Sequence, residues 1–274
     1  MKFLKPALAL AAQNWTLSTL TEVVEGLPHH NLEGLIDCSP KPTSSSGGYS
    51  DIYTGSFKSE VLRDIGNPTL CLICRSHFEI ESCPAGTVCP RCTSIWNEKL
   101  AVKKIRVHVR NRDHSKAVAR ELYVFSKLSH PNVLPFTGFI VLDCFPAIVT
   151  PWVEKGSLYD QIRDDTLDCS EGNIFKIANG IACGLAYLHR NDFLHCDLKS
   201  PNILLSPDND PLLADFGLSR TIGEDVSVVI SNSDASPATY RWSAPELFEN
   251  NSLYSRATDV WAFGMVLYVC CYVS

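Results

Sequence analysis

Apolar residues recur with a period of two in the first half of the chain and with a helical period through most of the second. Tyr49 to Phe57 alternates as a strand does, and so does Leu100 to Val107. In the latter, alternation puts Ala101 and Lys103 on one face and Val102 and Lys104 on the other. Ser115 to Leu128 has helical spacing, with Val118, Leu122, Phe125 and Leu128 on one side. His130-Pro131-Asn132 ends that helix, because the residue before a proline resists helical geometry. Val133 to Phe139 and Ala147 to Val153 are short apolar strands. Ile174 to His189 is a second helix, with Ile177, Ile181, Leu185 and Leu188 on its buried face, and a last helix begins near Asp259.

Residues 1–43 read as a leader, in which Leu17 to Val24 forms a short helix and Pro28, Pro40 and Pro42 punctuate the remainder. Ser44 to Gly48 is a turn, and Gly223 to Thr239 is a polar loop. The order is strands with one helix, then mostly helices, without an internal repeat.

Composition narrows this only a little. Of 274 residues, 45% are hydrophobic and 20% charged, the proportions of an ordinary globular chain. A net charge of −6 argues against a broad nucleic-acid-binding surface. The basic run from Lys103 to Arg112 reads as a solvated strand end and loop. The N-terminus, Met1 to Ala12, resembles a signal peptide only faintly, because its apolar run is short and opens on Pro6. Val260 to Val273 is apolar but shorter than the ~18 residues that suggest a membrane span.

The chemistry is concentrated in His195-Cys196-Asp197-Leu198-Lys199-Ser200-Pro201-Asn202, followed by Asp215-Phe216-Gly217. Asp197 can accept a proton from a hydroxyl group. Lys199 can sit against a transferring phosphoryl group. Asn202 and Asp215 offer the oxygens that a hard cation such as Mg²⁺ prefers. The order and spacing resemble the catalytic loop and metal-binding triplet of eukaryotic protein kinases.

That resemblance implies an α+β, two-lobed fold with a small β-rich N-lobe and a larger helical C-lobe. The kinase domain would run over 44–274, with an N-lobe at 44–150, an insertion at 61–98 and a partial C-lobe at 154–274. The implied activity is transfer of the ATP γ-phosphoryl group to Ser or Thr hydroxyls of protein substrates, with Mg²⁺ held by Asn202 and Asp215. A non-catalytic kinase-like binding module, or an inactive truncated product, is the alternative. Leu-Ala-Val-Lys103 matches the phosphate-anchoring lysine, with Glu121 as its acidic partner. By the same resemblance Gly47, Gly48, Ile52, Ala101, Thr150 and Val153 line the nucleotide, with Thr150 as gatekeeper. In the glycine-rich loop only the middle glycine, Gly47, is kept, and Ser45 and Ser50 occupy the other two places. Lys199 and Thr239 are in the style of the tyrosine-kinase-like group of Ser/Thr kinases. The implied compartment is the cytoplasm, where ATP is available and the twelve cysteines would stay reduced.

Three departures stand out. Cys196 replaces the arginine that would bind an activation-loop phosphate, and a thiol cannot form that charged fork. Cys71-x-x-Cys74 and Cys89-x-x-Cys92 have the look of a zinc site, with His77 and Cys83 as spare ligands. A plain loop and a translated intron are the competing readings of that insertion. The kinase pattern also fades after Tyr268, which leads us to expect a C-terminally truncated domain.

Overall fold

The computed structural model describes residues 16–43, 50–58, 99–106, 114–222, 240–249 and 253–273. Two compact units emerge: residues 1–126 with 135–152, and residues 127–134 with 153–274.

The first unit holds α1 (Thr16–Glu25), β1 (Ile36–Cys38), β2 (Ser50–Phe57), β3 (Leu100–Ile105), α2 (His114–Lys127), β4 (Gly138–Leu142) and β5 (Phe145–Pro151). Its strands form one antiparallel sheet in the order β1-β2-β3-β5-β4. Leu32, Ile36, Phe57, Leu100, Val102, Ile140, Ala147 and Val149 form a buried cluster on it. Leu100 and Val102 are both fully buried, as the alternation of β3 requires.

The expected leader does not stay outside this fold. Asn31 bridges Phe139, the Leu32 N–H donates to the Phe139 carbonyl (2.9 Å), and the Val141 N–H donates to Glu33 Oε2 (2.8 Å). Three residues later the chain is β1, paired with β2 at the other end of the strand order. Glu33 to Ile36 spans at most about 11 Å. A flat sheet would separate these positions by about 24 Å, five strand spacings. The sheet must therefore curl, and Asn31–Cys38 runs from one edge to the other.

The strand expected over Val133 to Phe139 lies further on, at Gly138–Leu142. Pro135 has no N–H for a ladder. Val133 makes an isolated bridge to Leu213 in the second unit, while the Thr137 N–H reaches Val149 O (3.0 Å).

The second unit contains α3 (Leu158–Arg163), α4 (Glu171–Arg190), β6 (Phe193–Leu194), β7 (Ile203–Leu205), β8 (Pro211–Leu213), β9 (Arg220–Thr221) and α5 (Arg256–Val273). Strands β6 and β9 pair, as do β7 and β8. Ser157 starts α3 with a reciprocal cap: its Oγ accepts from Asp160 N, and the Asp160 carboxylate accepts from Ser157 N. The buried stripe of α4 is Ile177, Gly180, Ile181, Gly184, Leu185 and Leu188, the face that the helical period predicts. His130 stacks on Tyr187 (4.9 Å between ring centroids), and Asn132 Nδ2 donates to Pro211 O (3.1 Å).

Two glycines allow this close packing. A Cβ on Gly180 would lie 2.5 Å from Pro211 Cγ and 2.8 Å from Asn132 Nδ2, and one on Gly184 would lie 2.8 Å from the Asn132 carbonyl. Alanine gains about 1 kcal/mol in helix propensity over glycine. Overpacking costs about 1–3 kcal/mol. Gly180→Ala is therefore expected to lower stability in urea unfolding. A higher urea midpoint would show that α4 does not depend on this contact.

The last helix begins at Arg256, three residues before the expected Asp259. Ser255 and Thr258 fix that start: Ser255 N donates to Thr258 Oγ1 (3.0 Å) and Thr258 N to Ser255 Oγ (3.3 Å). Val260, Trp261, Tyr268 and Tyr272 are exposed on α5. No helix among the described residues is long and apolar enough to cross a membrane.

Candidate active site

In the first unit, strand register brings Ile52 and Ile148 opposite Lys103, and Thr150 opposite Ala101. Lys103 Nζ donates to Glu121 Oε1 at 2.7 Å. Glu121 is only 2% exposed, and this cation offsets the charge of its buried carboxylate. Lys104 points the other way and pairs with Asp143. The alternation expected for β3 thus separates the two lysines. Thr150 is buried. Trp152 N donates to Lys99 O (2.8 Å), and Val153 is next in the chain, half-buried. Gly47 and Gly48, Thr239, and the cysteines of the 61–98 insertion lie outside the described residues. Among the described residues no group of three His, Cys, Asp or Glu side chains could hold a metal ion.

In the second unit the residues singled out between 195 and 202 converge. Lys199 Nζ donates to both oxygens of Asp197, at 3.0 and 2.8 Å. Asn202 Nδ2 donates to the Asp197 carbonyl (2.8 Å) and to its Oδ2 (3.0 Å). Burial pushes the Asp197 pKa up. Lys199 pulls it down through charge and hydrogen bonding, and the Asp215 carboxylate adds a smaller upward push. The raised direction means that burial outweighs the cation.

With both Asn202 Nδ2 hydrogens directed to Asp197, its Oδ1 remains as the acceptor end of the amide. Ala214 N donates to Asn202 O (2.9 Å), which ties the Asp215 backbone to the same loop. An amide oxygen and a carboxylate form a hard donor set that fits Mg²⁺. This ion needs only one or two protein carboxylates when phosphates and water complete its octahedron.

Sequence reasoning missed the group that holds this loop. Asp259 is 2% exposed. Its Oδ2 accepts from His195 N (2.9 Å), its Oδ1 from Cys196 N (2.9 Å), and His189 Nε2 lies 2.8 Å from Oδ2. A lone acid in the first turn of an apolar helix was the available signal, but its partners lie more than sixty residues earlier. Cys196 (φ 64°) and Asp215 (φ 65°) both occupy the left-handed region, which is uncommon for non-glycine residues and least so for Asp and Asn. His195 is fully buried, with Nδ1 accepting from Asp197 N (3.3 Å) and its ring tilted against Phe216. Ser219 Oγ donates to the His195 carbonyl (3.1 Å). Nearby, burial pushes the Tyr254 hydroxyl up to about 12, with Cys196 and Asp197 adding to the shift.

Residues 84–273 match the protein tyrosine and serine/threonine kinase family. The chain belongs to that family and carries its two-lobed, α+β protein kinase fold. It is 32% identical over 172 residues to the serine/threonine-protein kinase STY46 of Arabidopsis thaliana, a match covering 63% of this chain and 29% of that protein. It is 31% identical over 182 residues to the serine/threonine-protein kinase RUNKEL of the same plant, covering 66% and 13%. The dual specificity protein kinase pyk3 of Dictyostelium discoideum is 31% identical over 191 residues, covering 69% and 13%. The chain thus spans less than a third of the length of each of these relatives.

Proposed function

We propose that this chain transfers the γ-phosphoryl group of ATP to serine or threonine hydroxyls of protein substrates. The observation that carries the proposal is the Asp197 carboxylate, bonded by Lys199 and Asn202 on a loop whose backbone is held by buried Asp259. Asp197 accepts the proton of the attacking hydroxyl. A pKa raised by burial brings it closer to the working range of a general base. Lys199 keeps a cation within one hydrogen bond of that base, where charge on the transferring group can be offset. Asn202 and Asp215 would hold Mg²⁺. When bound, that ion neutralises charge on the phosphates. Lys103, fixed by Glu121, binds the nucleotide phosphates. Ile52, Ala101, Thr150 and Val153 contact the adenine side, and Gly47 and Gly48 cover the phosphates.

The two Arabidopsis relatives are named as Ser/Thr kinases, and Lys199 two places after Asp197 agrees with that preference. We place the chain in the tyrosine-kinase-like group and, because it needs ATP, in the cytoplasm. The kinase domain extends over 44–274, with residues 30–43 packed onto its sheet. Phosphoamino-acid analysis of a mixed Ser/Thr/Tyr peptide pool after incubation with MgATP tests the specificity. Phosphoserine and phosphothreonine are expected, and phosphotyrosine as the main product would refute the Ser/Thr reading.

Control by activation-loop phosphorylation is not expected, because Cys196 supplies no cation. Its side chain is buried, and its backbone is committed to Asp259. Replacing Ser227, Ser231, Ser233 and Ser236 together by Ala should leave kcat within about twofold, because without a cation at position 196 no phosphate-reading contact is lost. A loss of tenfold or more with unchanged thermal stability would restore the phosphorylation switch. Ser219 is excluded from this set because it bonds the His195 carbonyl.

A further inference from the structure

Leu27–Glu33 lies outside the family match at 84–273 and contributes none of the proposed site residues. It is nevertheless linked to one of them. The His30 ring packs against Phe136 (5.2 Å between centroids, tilted 34°), and Phe136 packs against Phe125 (5.5 Å, tilted 41°). Phe125 comes four residues after Glu121 on α2, one turn along the same face. The segment is closely seated. A Cβ on Gly138 would fall 2.4 Å from the His30 carbonyl and 2.8 Å from the Leu32 side chain, so β4 has a glycine where this backbone crosses it. The Leu32–Phe139 and Glu33–Val141 hydrogen bonds fix the register just beyond, and Leu32 enters the core cluster.

We infer that Leu27–Glu33 is an intramolecular brace that sets the position of α2, and hence the reach of Glu121 to Lys103, through the His30–Phe136–Phe125 ring contacts. His30 is a positioning residue, since it acts through two aromatic rings and touches no proposed substrate group. The inference rests on the reading that Lys103 and Glu121 serve nucleotide binding. A 2.7 Å hydrogen bond to a nearly buried carboxylate weakens steeply when its helix shifts. A brace of modest energy can therefore change the population of the pair severalfold.

The test compares the full chain with His30→Ala, His30→Phe and Gly138→Ala. It reads amide exchange across residues 118–127 without nucleotide, and MgATP affinity. Losing one aromatic contact should speed exchange and weaken MgATP binding by about three- to tenfold. His30→Phe should restore both, and Gly138→Ala should reproduce the loss by displacing the segment. In a Glu121→Gln background, His30→Ala should leave the MgATP affinity unchanged. Unaltered exchange in both His30→Ala and Gly138→Ala would overturn the brace, as would failed rescue by Phe or full additivity with Glu121→Gln. If the unmodified chain does not bind MgATP, the kinase reading fails, while the exchange results still decide the brace.

Discussion

Asp197→Asn is expected to lower Mg²⁺-dependent phosphotransfer by about 10²–10⁴-fold, the usual contribution of a positioned general base. The amide keeps the shape of the carboxylate and can still accept from Lys199, so the loss would belong to chemistry rather than folding. Burial is the largest influence on this group and raises its pKa above the ordinary carboxylate value of 3.8. Because folding raises the pKa, the protonated form favours the folded chain. That contribution is fully present below the unfolded pKa and is lost as pH rises through the folded one. At neutral pH the ionised Asp197 thus costs stability, and Asp197→Asn should hold or raise the thermal midpoint. The wild-type kcat/KM should fall on the acid side as Asp197 protonates, with its limb above pH 3.8. An Asn variant with wild-type turnover would remove Asp197 from the role of base.

The second large effect is expected at Asp259. Its carboxylate accepts from two backbone N–H groups of the catalytic loop and lies within hydrogen-bond distance of His189, on a side chain that is 2% exposed. Asp259→Ala leaves buried donors without an acceptor and should cost about 3–5 kcal/mol, the range for breaking a buried charged network. Total stability of a domain is only about 5–15 kcal/mol, so this variant is expected to unfold under mild heat or urea before activity can be read. Asp259→Asn separates the two effects. It keeps the volume and one acceptor oxygen, but turns an NH₂ toward a donor. A smaller cost of about 1–3 kcal/mol is expected, with activity lost in the folded fraction because the His195–Cys196 backbone that leads into Asp197 is no longer held. Full activity in Asp259→Asn would show that the loop holds its geometry without this carboxylate.

Local pattern made the elements readable. Alternation distinguished Lys103 from Lys104, and the ion pairs with Glu121 and Asp143 respect that division. The helical stripe of α4 was visible for the same reason, since 3.6-residue spacing records which face is buried. The short segment from His195 to Gly217 contains the groups proposed to react, so their clustering needed little tertiary information.

What the sequence concealed was non-local. Residues 31–38 run from one edge of a curled sheet to the other, and nothing in their own spacing states which strands they meet. Their packing against the sheet was hidden for that reason. Asp259 reads as an acid in the first turn of a helix until His195 and Cys196 are placed beside it. The left-handed backbone of Cys196 and Asp215 is likewise set by surroundings, because neither residue type favours it strongly enough to be read from sequence. The shift of β4 to Gly138–Leu142 depended on Pro135 and on the bridge that commits Val133 to the second unit.

The most direct test of the central claim is a turnover count: moles of phosphate transferred to a Ser/Thr peptide per mole of chain, with saturating MgATP, in a parallel run with Asp197→Asn. The account predicts many phosphates per wild-type chain, loss of the signal when Mg²⁺ is chelated, and near-zero transfer by the variant despite retained ATP binding. Wild-type protein that binds ATP yet transfers no phosphate would contradict it and identify a non-catalytic kinase-like module.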